Sequence, residues 1–135
     1  MDRTSMKKLV STALAALLVV AAGFVLAQPN RSDMIAVAAS DKTVSASVSS
    51  QAGRSPYFLL FDKQGIFVEA ANNSYKDAGN AGNSTLDFLA SKGIKVLVAE
   101  SFGPKIVEVM KDKGIRPVEL KGNARDAVKK ALELK

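Results

Sequence analysis

The run Gly93-Ile94-Lys95-Val96-Leu97-Val98-Ala99-Glu100-Ser101-Phe102-Gly103-Pro104-Lys105 decides the fold. It opens on a glycine suited to ending a helix, passes through the apolar stretch Val96 to Ala99, and reaches a proline preorganised for a first helical turn. A short apolar run between two such marks reads as a buried central strand. Outward from it the alternation continues. Upstream, Ser84 or Thr85 can cap a helix whose apolar side includes Leu86, Phe88 and Leu89. Downstream, Ile106, Val107, Val109 and Met110 fall on the inner side of a helix that Gly114 closes. Arg116 to Leu120 is then a strand that Pro117 confines towards the sheet edge. Asn123 caps a last helix with Ala124, Ala127, Val128, Ala131 and Leu132 inward.

The first half of the chain carries β patterns. Met34 to Ala39 reads as a buried first strand, and serine-rich Thr43 to Ser50 as a loop with a β-like stretch. Tyr57 to Asp62 is aromatic and apolar, and Asp62-Lys63-Gln64-Gly65 turns it back into Ile66 to Ala70. Asn72 to Asn83, rich in asparagine and without apolar periodicity, is a long polar loop. The predicted order is β-β-β-α-β-α-β-α, an α/β fold with a mixed sheet and helices on its faces.

With 135 residues, the chain holds one domain beyond its amino terminus. Arg3, Lys7 and Lys8 precede a nearly uninterrupted apolar stretch from Leu9 to Leu26, and Val25-Leu26-Ala27 offers small residues where a signal peptidase cuts. Residues 1–27 therefore read as a secretory signal peptide, with an uncleaved membrane anchor at residues 9–26 as the alternative. Residues 28–33 are a linker and residues 34–135 the domain. The expected location is exported, periplasmic or extracellular, with membrane contact only through the uncleaved segment. Loss of Asp2 and the three basic residues lowers the formal charge from +6 to about +4. That mild positive field suits anions, but no aromatic residues alternate with basic ones, so no nucleic-acid partner is expected. The absence of cysteine and histidine excludes disulfides and ordinary zinc sites, and leaves a nucleophile relay without its base. The reading is non-catalytic.

Two segments carry candidate binding chemistry. Glu100-Ser101-Phe102-Gly103-Pro104-Lys105 leaves the carboxyl end of a strand and opens a helix, the place where open α/β sheets bind ligands and helix amides meet anions. Ser49-Ser50-Gln51-Ala52-Gly53-Arg54 adds a glycine that permits close backbone approach and an arginine that can fork onto an anion. Taken alone, each also reads as an ordinary surface turn.

In order and spacing, several segments resemble the dinitrogenase iron–molybdenum cofactor biosynthesis domain, found in NifX-type carriers and the carboxy-terminal part of NifB-type synthases. The matching pieces are Ile35-Ala36-Val37-Ala38, Val48-Ser49 with Gly53-Arg54-Ser55-Pro56-Tyr57-Phe58, Asn80-Ala81-Gly82, Lys92 to Ala99, Gly103-Pro104-Lys105 and Lys113-Gly114-Ile115. The resemblance spans nearly all of residues 34–134. It implies a ribonuclease-H-like fold with a mixed five-stranded sheet, and non-catalytic binding of an anionic iron–sulfur or iron–molybdenum cluster. The residues it implicates are Ser49, Gly53 and Arg54, then Asn80 and Gly82, then Gly103 to Lys105, with Gln51 and Ser101 beside them. Members commonly carry His-Phe before the Gly-Arg, where this chain has Gln51-Ala52; a histidine is also common where Asn80 and Asn83 stand. Glutamine and asparagine are poor ligands for iron, which argues against direct coordination.

Three functions are compatible with this sequence. One is an exported protein that binds an anionic ligand or metal complex. Another is an interaction module with a decayed pocket and a protein partner. The third is a cluster carrier in nitrogenase maturation.

Overall fold

The computed structural model describes residues 31–134. The expected leader, residues 28–30 of the expected linker and Lys135 lie outside the described residues. Five strands and three helices follow one another as β1 (Met34–Ala39), β2 (Tyr57–Phe61), β3 (Phe67–Asn72), α1 (Ala81–Ser91), β4 (Ile94–Ala99), α2 (Pro104–Asp112), β5 (Arg116–Glu119) and α3 (Ala124–Glu133). The sheet runs β3-β2-β1-β4-β5. β1 to β3 form an antiparallel meander, while β4 and β5 are parallel to β1 and to each other. This is the mixed five-stranded sheet and element order that the sequence predicts. Among the described residues no helix is long and apolar enough to cross a membrane.

The core divides at β1, every residue of which is buried. Side chains alternate across a strand, so Met34, Ala36 and Ala38 meet Leu86 and Leu89 of α1 and Met110 of α2 on one face. Ile35, Val37 and Ala39 meet Ala124, Ala127, Val128 and Ala131 of α3 on the other. Alanine at four positions of this second face, Ala39, Ala124, Ala127 and Ala131, lets α3 and the sheet approach closely. At the end of α1, Gly93 has φ 86°, and a β-carbon there would lie 1.7 Å from the Arg31 carbonyl oxygen. Only glycine fits both the left-handed backbone and that contact. The Gly93 carbonyl in turn accepts from Met34 N at 2.9 Å, where β1 begins.

Four local expectations are corrected. α1 starts at Ala81 with Asn80 as its N-cap, not at Ser84 or Thr85. Thr85 is buried, and its hydroxyl donates to the Gly53 carbonyl at 2.9 Å, a tertiary use that outranks capping. The polar loop therefore shrinks to residues 73–80, and β3 extends to Asn72. Ile66 belongs to the turn and is 63% exposed, because the Asp62 carboxylate accepts from both Gln64 N and Ile66 N. Val107 faces outward: only the narrow stripe of Ile106, Val109 and Met110 reaches the core. Elsewhere the local signals hold. Asn123 Oδ1 accepts from Asp126 N at 2.9 Å as the cap of α3, and β5 with Pro117 is an edge strand.

Candidate functional site

Parallel strands bring their carboxyl ends together, so the connections after β1, β3 and β4 share one pole of the sheet. The loop after β1 is held there by its own polar groups. Ser49 N donates to Ala38 O at 2.7 Å, Ser49 O accepts from Glu100 N at 3.0 Å, and Gln51 N donates to Ser49 Oγ at 3.2 Å. Ser101 Oγ donates to Ser50 O at 3.1 Å, which ties the loop after β4 to the loop after β1.

Gly53 is the hinge of the arrangement. Asn73 Nδ2 and Thr85 Oγ1 both donate to its carbonyl, at 3.0 and 2.9 Å. Because the peptide is planar and trans, that inward carbonyl turns the Arg54 amide N–H the opposite way. Asn73 is 4% exposed and its side chain also bonds Ser55 O and Tyr75 N. Buried Ser55 donates to Ala39 O at 3.1 Å and to Tyr57 O at 2.9 Å. Arg54 Nη1 donates to the carbonyls of Lys76 at 2.8 Å and Ala78 at 3.2 Å, so the arginine pins the loop after β3 with one nitrogen. Its remaining N–H groups have no partner among the described residues.

These loops line an open hollow of about 320 Å³. Gln51, Gly53 and Arg54 line it from the first loop, Gly82 from α1, Ser101 and Gly103 from the loop after β4, and Ile106 supplies an apolar wall. A second hollow of about 210 Å³ shares Arg54, Gly82 and Ile106, and adds Asn80, Asn83 and Lys105. Eight of the nine residues singled out in the sequence therefore line one composite cleft. Ser49 lines neither part and braces the first loop instead. Sequence reasoning missed Asn73, Ser55, Thr85 and Ile106. A threonine inside an apolar helical stripe was the unused signal for Thr85; Asn73 was hidden among other asparagines.

Two helices begin at this cleft, and neither is capped by a side chain. Asn80 makes no cap hydrogen bond to α1; its Oδ1 accepts instead from Asn83 Nδ2 at 3.0 Å. Gly103, the N-cap of α2, has no side chain to offer, and neither helix has an acidic residue in its first turn. α3, which starts away from the cleft, has both an asparagine cap and Asp126. The first-turn amides of α1 and α2 thus remain available where Arg54 and Lys105 add positive charge. Among the described residues no carboxylate lines either part of the cleft.

Serine, amide and guanidinium groups do not fit as direct ligands to iron, which takes thiolate or imidazole. No group of three His, Cys, Asp or Glu residues that could hold a metal ion occurs among the described residues. The donor set fits the outer surface of an anion, an anionic metal complex included.

Comparison with solved structures bears on this geometry. The chain is 26% identical to the orange protein from Desulfovibrio gigas, solved in its apo form, over 78% of this chain and 91% of that one, with a TM-score of 0.70. It is 27% identical to a putative NifB protein from Thermotoga, over 75% of this chain and 88% of that one, with a TM-score of 0.65. No match was found among curated proteins. The dinitrogenase iron–molybdenum cofactor family model matches residues 33–134, which include every strand, helix and loop of the cleft, and the chain belongs to that family.

Proposed function

We propose that this chain is a non-catalytic binding protein whose glycine-loop cleft receives an anionic ligand, an anionic metal–sulfur complex among them, through N–H groups. One observation carries the reading: two uncapped helix starts, Arg54 and Lys105 converge on a cleft without a carboxylate lining it. Helix amides and a guanidinium recognise an anion's surface without exchanging its inner ligands. The family name, and a neighbour solved as an apo form, agree with a cleft that receives cargo. The amino-terminal charge and hydropathy pattern supports action outside the cytoplasm after cleavage near Ala27. A mature mass beginning at Gln28 in envelope or culture fractions tests that part, and a full-length cytoplasmic protein refutes it.

The test of the cleft is titration of the full chain with tetrathiomolybdate, with sulfate as the plain oxyanion. Saturable binding is expected, weakened about tenfold or more by Arg54→Ala and by Lys105→Ala, as suits charge-assisted hydrogen bonds. Unchanged affinity in both variants refutes the site. A second reading, an interaction module with a decayed pocket, draws on the lack of iron-binding side chains in the cleft. No binding of either anion, together with a stoichiometric protein partner, would favour it.

A further inference from the structure

A second cavity, of about 280 Å³, lies at the opposite pole of the sheet. It sits where β1, β4 and β5 begin and β2 ends, far from the glycine loops by topology. Lys63, Lys95 and Arg116 line it, with Asp33 as the one acidic residue in its wall. Its remaining surface is aliphatic, contributed by Ile35, Val96, Ala131 and Leu132. Among the described residues no carboxylate stands within 4.0 Å of the three cations, whereas Lys92 and Lys113 do form such pairs. Three cations against one carboxylate leave the lining with an excess of positive charge.

The backbone is irregular at this rim. The β1–β4 pairing runs Met34 to Ile94 and then Ile35 to Val96, so Lys95 is the extra residue of a bulge. Bulges re-aim side chains and are common beside functional sites. Asp33 has φ 55°, the positive-φ residue other than glycine among the described residues. Arg116 Nη1 donates to Leu134 O at 3.3 Å, which fixes the guanidinium at the end of α3; its other N–H groups have no partner among the described residues.

We propose that this cavity binds a small amphipathic carboxylate, its head group among Lys63, Lys95 and Arg116 and its hydrocarbon part against Ile35, Val96 and Leu132. A bare inorganic anion would leave the aliphatic walls wet. A neutral hydrocarbon would leave the cations without a counter-charge. The volume is close to the lower end of small-molecule sites, about 300 Å³. This site is independent of the glycine-loop cleft.

Amide spectra of the isotope-labelled full chain, titrated separately with octanoate, octanol and inorganic phosphate, test the proposal. Octanoate is expected to give saturable shifts centred on Asp33, Lys63, Lys95, Arg116 and Leu132, at affinity about tenfold or more above either control. The double variant Lys95→Ala/Arg116→Ala is expected to lose at least about tenfold in octanoate affinity, with tetrathiomolybdate binding at the other pole unchanged. Both side chains are exposed, so the variant tests charge and not folding. Octanol or phosphate binding as tightly as octanoate would overturn the proposal. So would shifts centred on Gly53 and Gly82, an unaffected double variant, or no saturable response.

Discussion

A β-carbon placed on Gly53 would stand 3.2 Å from the Cα of Gly82, so the loop after β1 and the first turn of α1 meet backbone against backbone. The same atom would lie 3.1 Å from Ile106 Cδ1 in α2. Three segments distant in sequence thus close on one position, and the cleft's shape depends on its lack of a side chain. Gly53→Val is expected to push α1 and α2 away from the loop. Overpacking of this kind costs about 1–3 kcal/mol. Urea unfolding should register that loss, and tetrathiomolybdate binding should fall with it; an unchanged midpoint with full binding would show that the contact yields freely.

Thr85→Val keeps the shape of a buried side chain and removes the hydroxyl that reaches Gly53 O and Asn73 Oδ1. A loss of about 1–3 kcal/mol is expected, with Thr85→Ser retaining most of the wild-type stability. Equal stability of the valine and serine variants would mean the hydroxyl is dispensable.

Gly93→Ala meets both a left-handed φ and the Arg31 carbonyl. The segment before β1 must move, and a destabilisation of at least about 2 kcal/mol is expected. Chemical denaturation measures it directly; a loss below about 0.5 kcal/mol would contradict the packing described.

Arg54→Lys preserves charge but cannot reproduce the guanidinium's contacts with Lys76 O and Ala78 O. Amide hydrogen exchange across Tyr75 to Gly79 should accelerate several-fold, while the strands keep their protection. Unaltered exchange in that loop would remove the pinning role.

Glu69 links the start of the domain to the end of α1, pairing with Arg31 at 3.1 Å and Lys92 at 3.1 Å. Burial pushes its carboxyl up, but the hydrogen bonds and charges of Lys92 and Arg31 outweigh that and hold it below its ordinary 4.5. A carboxyl depressed in the folded state stabilises above its unfolded value, and that contribution fades as pH falls through the lower folded value. The pair is partly exposed, so the effect is at most about 1 kcal/mol and shrinks in salt. Urea midpoints between about pH 7 and pH 3 should fall less steeply for Glu69→Gln than for the wild type; identical slopes would assign the acid sensitivity elsewhere.

Much of the fold was legible residue by residue. Val96 to Ala99 and Met34 to Ala39 are apolar runs too short for helices, and both are strands. Gly93, Gly114, Pro104 and Asn123 marked helix ends because each acts through its own backbone torsion or side chain, which requires no distant partner. Errors arose where a distant segment competed for a group. Thr85 had the chemistry of a cap, yet Gly53, thirty-two residues away in sequence, claimed its hydroxyl. Val107 is as apolar as its neighbours and faces solvent because α2 touches the core along one narrow stripe.

The sequence by itself determined the strand and helix order, the family-like spacing of three glycine loops, and the absence of thiol and imidazole ligands. Those properties follow from local torsional preference, hydrophobic periodicity and composition. Tertiary structure alone decided that Arg54 holds a loop while lining the cleft, that Ser49 braces and does not line it, and that two uncapped helix starts face one hollow. It also gathered Lys63, Lys95 and Arg116 around a cavity that no local pattern announces. Such groupings depend on strand order and register, which bring residues distant in the chain within a few ångströms.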